Sequence, residues 1–216
     1  HNYITLTERV TDHLGERPAH LPRQRMWKVR AGQTVLAQGA HERPLVFSGN
    51  DLPGVMLSGA VRSYITRYGV VPGNRTVVFT NNDDAYRTAL ALHGAGAHVV
   101  VVDLRRDLKG ELVKAVRAAG IEVMSGSAVT IAAGTQRIAR VEISPVNEGA
   151  TQVLDDPIHM DCDLLAMSGG LTPAVHLHSQ ARGKLGWDEQ QLCFKPTIVH
   201  EASFNAGAGT GVFATD

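Results

Sequence analysis

Thiols are scarce in this chain. Cys162 and Cys193 are the two cysteines among 216 residues, and no C-x-x-C occurs. That excludes a disulfide framework, a zinc knuckle and the redox-active cysteine pair of a disulfide reductase. Charge of one sign is lacking too. Lys+Arg and Asp+Glu both number 21, so no basic face for nucleic acid or an anionic membrane surface is expected. The apolar runs are too short to span a bilayer and no secretory leader is visible, which makes the cytoplasm the default location. Aromatics are sparse at 5%. Trp27 and Trp187 are expected to be packing residues rather than stacking platforms. The chain opens on HNYITLTERV without Met and stops at GVFATD after a glycine-rich loop, the expectation for a piece of something longer.

What is present is a nucleotide-fold frame. Val77-Val78-Phe79 and His98–Val102 are continuous apolar runs, typical of parallel strands covered on both faces. Between them Asp83–Gly94 has helix length and spacing. MLSGAVRSYITRYG predicts an amphipathic helix stopped by Gly69, and Leu108 to Ala119 a third helix ended by Gly120. IEVMSG and Asp163–Met167 read as further strands. From Val129 to Val153 the period shifts toward two, which predicts an antiparallel meander. Residues 1–24 read as polar and Pro-interrupted, followed by two short strands in MWKVRA and QTVLAQGA. The order βαβαβ, meander, strand is that of one domain of two-domain flavin and nicotinamide enzymes. The expected domains are 1–50 (part of a first dinucleotide-binding domain), 54–168 (an inserted Rossmann-like domain) and 170–216 (the closing part of the first).

The frame lacks its phosphate glycines. In G-x-G-x-x-G the glycines permit the tight turn, close backbone approach to the pyrophosphate and helix packing. Here those positions fall on Thr80, Asn82 and Ala85 of TNNDDA. Asn81 or Asn82 can cap the helix instead. Asp83 and Asp84 fill its first turn, where they satisfy the positive helix end and repel a diphosphate. Asp103 ends the next strand, at the distance where an acid would hold a ribose. A strand-end acid with no ligand is the plainer reading. Arg105 and Arg106 read as a solvated helix start.

Several stretches taken together resemble a family. HNYITLTERVTDHLG, VLAQGAHERPLVFSGNDLPGVMLSGAVRSYITRYGV, GNRTVVFTNNDDAYRTAL with VVVVDLR, DCDLLAMSGGLTPAVHL and GAGTGVF are similar to the α subunits of heterotetrameric sarcosine oxidases. The glycine-free TNNDDAY turn is part of that resemblance. It implies a pyridine nucleotide-disulfide oxidoreductase type of FAD/NAD(P)-binding fold: a parallel sheet, flanking helices and an antiparallel meander. It implies a role in oxidising sarcosine to glycine with hydrogen peroxide, the one-carbon unit leaving as formaldehyde or passing to tetrahydrofolate. It implies β, γ and δ partner subunits, with FAD on β, FMN at the α/β interface and NAD in the first domain of α. The folate domain and the first-domain glycine fingerprint are absent from these residues. Opine oxidase and hydrogen cyanide synthase subunits share the architecture.

By the same resemblance a partial NAD site is carried onto Ala208, Phe213 and Thr215, supported by Gly207, and onto Gly39 and Ala40. A Gly/Ala-rich turn without ligand is the plain alternative. No catalytic residue is assigned, and the isolated chain is expected to be inactive. A nicotinamide-dependent reductase using the βαβ unit, and a module that only docks partners, are the competing readings. The His176–His178 pair in AVHLHSQ has no third ligand and reads as solvated surface. His159, Asp161, Cys162 and Asp163 alternate along a strand onto opposite faces, and no metal site is assigned. Glu42 and Arg43 are expected to anchor the connector.

Overall fold

A computed structural model describes residues 2–213, so Thr215 lies outside the described residues. The chain divides into two compact units. One comprises Glu42–Leu171, and the other the flanking segments up to His41 and from Thr172.

In the Glu42–Leu171 unit, the runs read as strands form one parallel sheet, and Val55–Leu57 joins it, so the stretch read as a helix from Met56 begins as a strand and turns helical only at Ser58. Its order is Val55–Leu57, Leu164–Ser168, Arg75–Thr80, His98–Asp103, Glu122–Ser125. Alternate residues of each strand face opposite ways. Val77, Phe79, Val102, Leu165 and Met167 join one core cluster, while Val78, Val99, Val101, Leu164 and Ala166 join another.

The second cluster belongs to the helices Ser58–Tyr68, Asp84–Gly94 and Glu111–Ala118, through Val61, Tyr86, Ala89, Leu92, Val113 and Val116. All three helices therefore pack on one face. Right-handed crossovers explain this. The strands at 55–57, 75–80, 98–103 and 122–125 are laid down progressively in one direction across the sheet, so each connecting helix lands on the same side. The opposite face carries the meander Ser127–Gly134, Ile138–Pro145, Ile158–Asp161, with Val129, Ile138, Val141 and Ile143 buried against it.

Local chemistry sets several boundaries. Gly69 adopts φ 65°, and its N–H donates to the Ile65 carbonyl, ending the first helix. Ser58 and Thr88 share a buried hydroxyl–hydroxyl bond of 2.8 Å between the first two helices. The third helix starts at Glu111 rather than Leu108, because Gly110 takes φ 130° immediately before it. The TQVL run supplies a single bridge, Val146 to Val153, in place of a full meander strand. There the Asn147 carboxamide oxygen accepts the Thr151 and Gln152 N–H groups at 2.9 and 3.2 Å and folds the chain into a turn. The third strand follows at Ile158.

The other unit is built of small pieces. Tyr3–Arg9 pairs antiparallel with Gln24–Arg30, so part of the segment read as polar and irregular is a strand. Lys184–Asp188 pairs with Cys193–Ile198, and Thr34–Leu36 lies parallel to Ser203–Asn205. His176–Gln180 is a short helix and Gly207–Thr210 a single 3-10 turn. Among the described residues, no helix is long and apolar enough to cross a membrane.

Candidate functional site

The TNNDDA turn lies at the carboxyl end of the central strand, where open α/β sheets hold ligands. Thr80 is fully buried, and its hydroxyl accepts the Asn82 N–H at 3.1 Å. The Asn82 amide donates to the carbonyl and hydroxyl oxygens of Ser168, both at 3.1 Å. Its oxygen accepts the Asp84 N–H at 3.1 Å, an Asx-type turn one residue ahead of the N-cap Asp83, whose own side chain makes no cap hydrogen bond. The turn is thereby stitched to the end of the neighbouring strand. Two of the N–H groups that would cradle a phosphate are already engaged.

The acids behave differently from expectation. Rather than satisfying the helix end, each pairs with arginine. Asp84 meets Arg62 at 3.1 Å and Arg87 at 3.5 Å, and Asp83 meets Arg105 at 2.7 Å. Simple repulsion of a diphosphate by bare acids is therefore an incomplete account of this turn.

Asp103 is not free for a ribose. It is fully buried and accepts four bonds from its own chain. The Tyr86 hydroxyl donates at 2.9 Å, the Arg105 N–H at 2.9 Å, and the Arg105 side chain at 3.1 Å (Nε) and 2.8 Å (Nη2). The reading of Arg105 and Arg106 as a solvated helix start is likewise corrected. The helix begins later, Arg105 turns back onto Asp103, and Arg106 donates to the Val146 carbonyl. Burial, then the Asp103 charge and hydrogen bond, push the Tyr86 phenol far above its ordinary value. Burial works against the Arg105 charge, but hydrogen bonds to Asp103 and Asp83 outweigh it and hold the guanidinium more firmly protonated than usual. Tyr86 and Arg105 carry this site, and sequence reasoning passed over both roles. The available signals were a tyrosine in the first turn and an arginine two residues beyond the strand-end acid.

The other candidate locus lies in the discontinuous unit. Gly39 has φ 75° and Gly207 φ 62°, conformations that favour glycine, and a Cβ on either would meet nothing within 4 Å. A Cβ on Gly209 would lie 3.7–3.9 Å from Gly39 and Leu36 backbone atoms, so the two loops run side by side. The Ala206 N–H donates to the Leu36 carbonyl at 3.0 Å and the Ala174 N–H to the Gly39 carbonyl at 3.0 Å. Gly39 thus lies beside the Gly207–Thr210 turn that contains Ala208, and Ala40 follows Gly39 as the first residue of the strand Ala40–Glu42. Phe213 is the last described residue and is half-buried. Among the described residues, Gly207–Thr210 forms a single 3-10 turn. Among the described residues, the buried Thr34 and Ser203 hydroxyls, on paired strands leading into these loops, have no hydrogen-bond partner.

The remaining candidates resolve individually. His178 is fully buried rather than solvated. Its Nδ1 faces the Asn205 amide and its Nε2 the Lys184 carbonyl, both at 3.0 Å, which suits the neutral Nε2–H tautomer. His176 is exposed. Among the described residues, no group of three or more His, Cys, Asp or Glu could hold a metal. Cys162 and Cys193 are buried, and burial, then nearby Asp163, pushes the Cys162 thiol up to about 12. Trp27 and Trp187 are each half-exposed, not core residues. Trp27 donates to Glu8 at 2.8 Å, and Trp187 stacks edge-on against Phe194 at 5.1 Å. Each sits on a two-stranded ribbon, which has too little surface to bury an indole. Glu42 accepts the Gly59 N–H at 2.8 Å at a helix start.

No protein-family model matches the chain. The sarcosine oxidase α subunit of Corynebacterium sp. strain P-1 is 42% identical over 99% of this chain, and that of Rhizobium meliloti 40% over 99%. The chain is a relative of the sarcosine oxidase α subunits. It spans about a fifth of the length of these relatives, 22% and 21% respectively. Beside this sarcosine oxidase likeness stand more distant ones. An opine oxidase subunit of Agrobacterium tumefaciens is 23% identical over 85% of this chain and 40% of its own length. Hydrogen cyanide synthase subunit HcnB of Pseudomonas aeruginosa is 27% identical over 83% and 43%. Among solved structures, T. acidophilum thioredoxin reductase superposes with a TM-score of 0.67 at 15% identity, covering 89% of this chain and 63% of that one. The fold is that of the FAD-dependent pyridine nucleotide-disulfide oxidoreductases, as the resemblance to sarcosine oxidases implied.

Proposed function

We propose that the chain works as part of the α subunit of a flavin-dependent sarcosine oxidase, supplying a dinucleotide-fold scaffold and part of an NAD site but no amine chemistry. The observation that carries this is identity of 40–42% across the whole chain to three such subunits. In this reading residues 1–50 and 170–216 belong to a first dinucleotide-binding domain, and 54–168 to a second inserted into it.

Gly39, Ala40, Gly207 and Ala208, with Phe213 and Thr215, would hold NAD in the first domain. The side-by-side loops with open positive-φ glycines support this, because small residues let backbone groups approach a cofactor. NAD would supply hydride-transfer capacity. The chain's own contribution is an open backbone surface and the adjacent Thr34 and Ser203 hydroxyls, which are unpartnered among the described residues. FAD, FMN and tetrahydrofolate would be held outside these residues, with β, γ and δ subunits as partners in a cytoplasmic heterotetramer. Among the alternatives, the opine oxidase and hydrogen cyanide synthase subunits rank below on identity. A reductase acting through the TNNDDA turn is disfavoured by the engaged N–H groups there.

The test is assembly. The protein containing this chain, combined with its partner subunits, should consume oxygen with sarcosine and release peroxide, whereas the chain alone should not. Peroxide from sarcosine with the pure, flavin-free chain would overturn the proposal.

A further inference from the structure

The carboxyl ends of Arg75–Thr80 and His98–Asp103 form the crevice in which dinucleotide folds take their ligand. Here the crevice contains the Arg105 guanidinium. One edge of that group forms a two-bond fork on the buried Asp103 carboxylate, at 3.1 and 2.8 Å. Its Nη2 also reaches Asp83, at the helix start, at 2.7 Å. Tyr86 fills the remaining side of Asp103.

The backbone holds Arg105 in place. The Leu104 N–H donates to the Thr80 carbonyl at 3.0 Å, and the Arg105 carbonyl accepts the Gly126 N–H at 3.0 Å. On the far side, Gly110 takes φ 130°, and a Cβ there would lie 3.0 Å from Asp83 Oδ2. That glycine lets the loop after Arg105 close over the acid.

We infer that Asp83, Asp103 and Tyr86 form a guanidinium-binding site whose resident ligand is Arg105 of the same chain. A planar fork suits a carboxylate in a way an ammonium does not. A phosphate placed here would meet two carboxylates, so the charge preference of the crevice is inverted from anion to cation. The inference rests on the reading that this turn holds no dinucleotide, and it names what holds the crevice instead.

Removing the ligand while keeping the site tests it. Arg105→Ala should lower the thermal midpoint, and about 20 mM ethylguanidinium should raise it again by roughly 2–4 °C over equal NaCl. Equal ethylammonium should not, and the unaltered chain should respond to neither. NAD or ADP raising the midpoint of Arg105→Ala would overturn both this inference and the reading beneath it. No response to any of these would overturn the guanidinium site alone. If Arg105→Ala does not fold, Arg105→Lys and Asp83→Asn can be compared singly and combined. A strongly non-additive pair upholds the site, and an additive pair overturns it.

Discussion

The two candidate loci sit in units of opposite construction. The Asp103 crevice is roofed by its own side chains and lies at the end of strands with no exposed face. The Gly39 and Gly207 loops are glycine-lined and open, in a unit whose ribbons leave Leu6, Trp27, Trp187 and Phe194 about half exposed. A fold can keep its core after its ligand crevice has been filled from within, because strand packing and ligand contact use different atoms. The continuous unit has two cluster-forming sheet faces and can hold its strands without a cofactor. Among its described residues the discontinuous unit has only two-stranded pairings, and such ribbons are marginal alone.

The sharpest way to break this comparison is to cut the crevice at its centre. Asp103→Ala leaves the Tyr86 hydroxyl and the Arg105 guanidinium without their buried acceptor. Stability measured by urea unfolding should fall by about 3–5 kcal/mol, the usual result of removing one partner of a buried charge pair. A loss under about 1 kcal/mol would mean that water replaces the carboxylate readily and that the crevice is more open than its geometry implies.

Next comes the fully buried His178 of the discontinuous unit. Gly183 lies so close to His178 that a Cβ would be 2.2 Å from Nε2, and His178 also anchors Asn205. Gly183→Ala should therefore cost about 1–3 kcal/mol through overpacking. If the effect is undetectable, this unit is loose throughout and the contrast between the two becomes sharper.

An effect of similar size is expected where Tyr86 meets the crevice. Tyr86→Phe keeps the buried ring and removes one hydrogen bond to a charged acceptor, a change of about 1.5–3 kcal/mol. A near-neutral result would show that Arg105 alone satisfies Asp103.

These sites also mark what the sequence disclosed. The sheet was legible because VVF, HVVVV and LLAM are continuous apolar runs, which only a doubly covered strand tolerates. Helix ends were legible where a glycine had to turn left-handed, as at Gly69 and Gly120. The meeting of Arg105 with Asp83 was not, because the 21 residues of chain between them carry no periodic signal for that contact. His178 was misplaced for the same reason, since its partners Lys184 and Asn205 come from separate later strands. The Tyr3–Arg9 strand was missed because a ribbon with little buried surface needs no apolar face. Gly39 and Gly207 came from family resemblance, and local spacing would not have joined them.

The mildest expected effect is a pH dependence in the discontinuous unit. The Asp188 carboxyl is held below its ordinary value first by Lys195, which meets it at 2.7 Å, and then by the Gln191 N–H. A carboxylate depressed in the folded state contributes stability above its unfolded pKa of about 3.9, and that contribution is lost as pH falls through the folded value. Lys195→Met should therefore lower stability slightly at neutral pH and leave it unchanged in strong acid. The two unfolding curves should converge below about pH 4. Gly211 allows this pairing, because a Cβ there would lie 2.4 Å from the Lys195 side chain. Gly211→Ala should displace Lys195 and reproduce the same convergence, with added strain from its φ of 85° that persists at every pH. A Lys195→Met offset that stays constant from pH 7 to strong acid would assign the effect to lost side-chain packing, and the ion pair would then be incidental to this unit's stability.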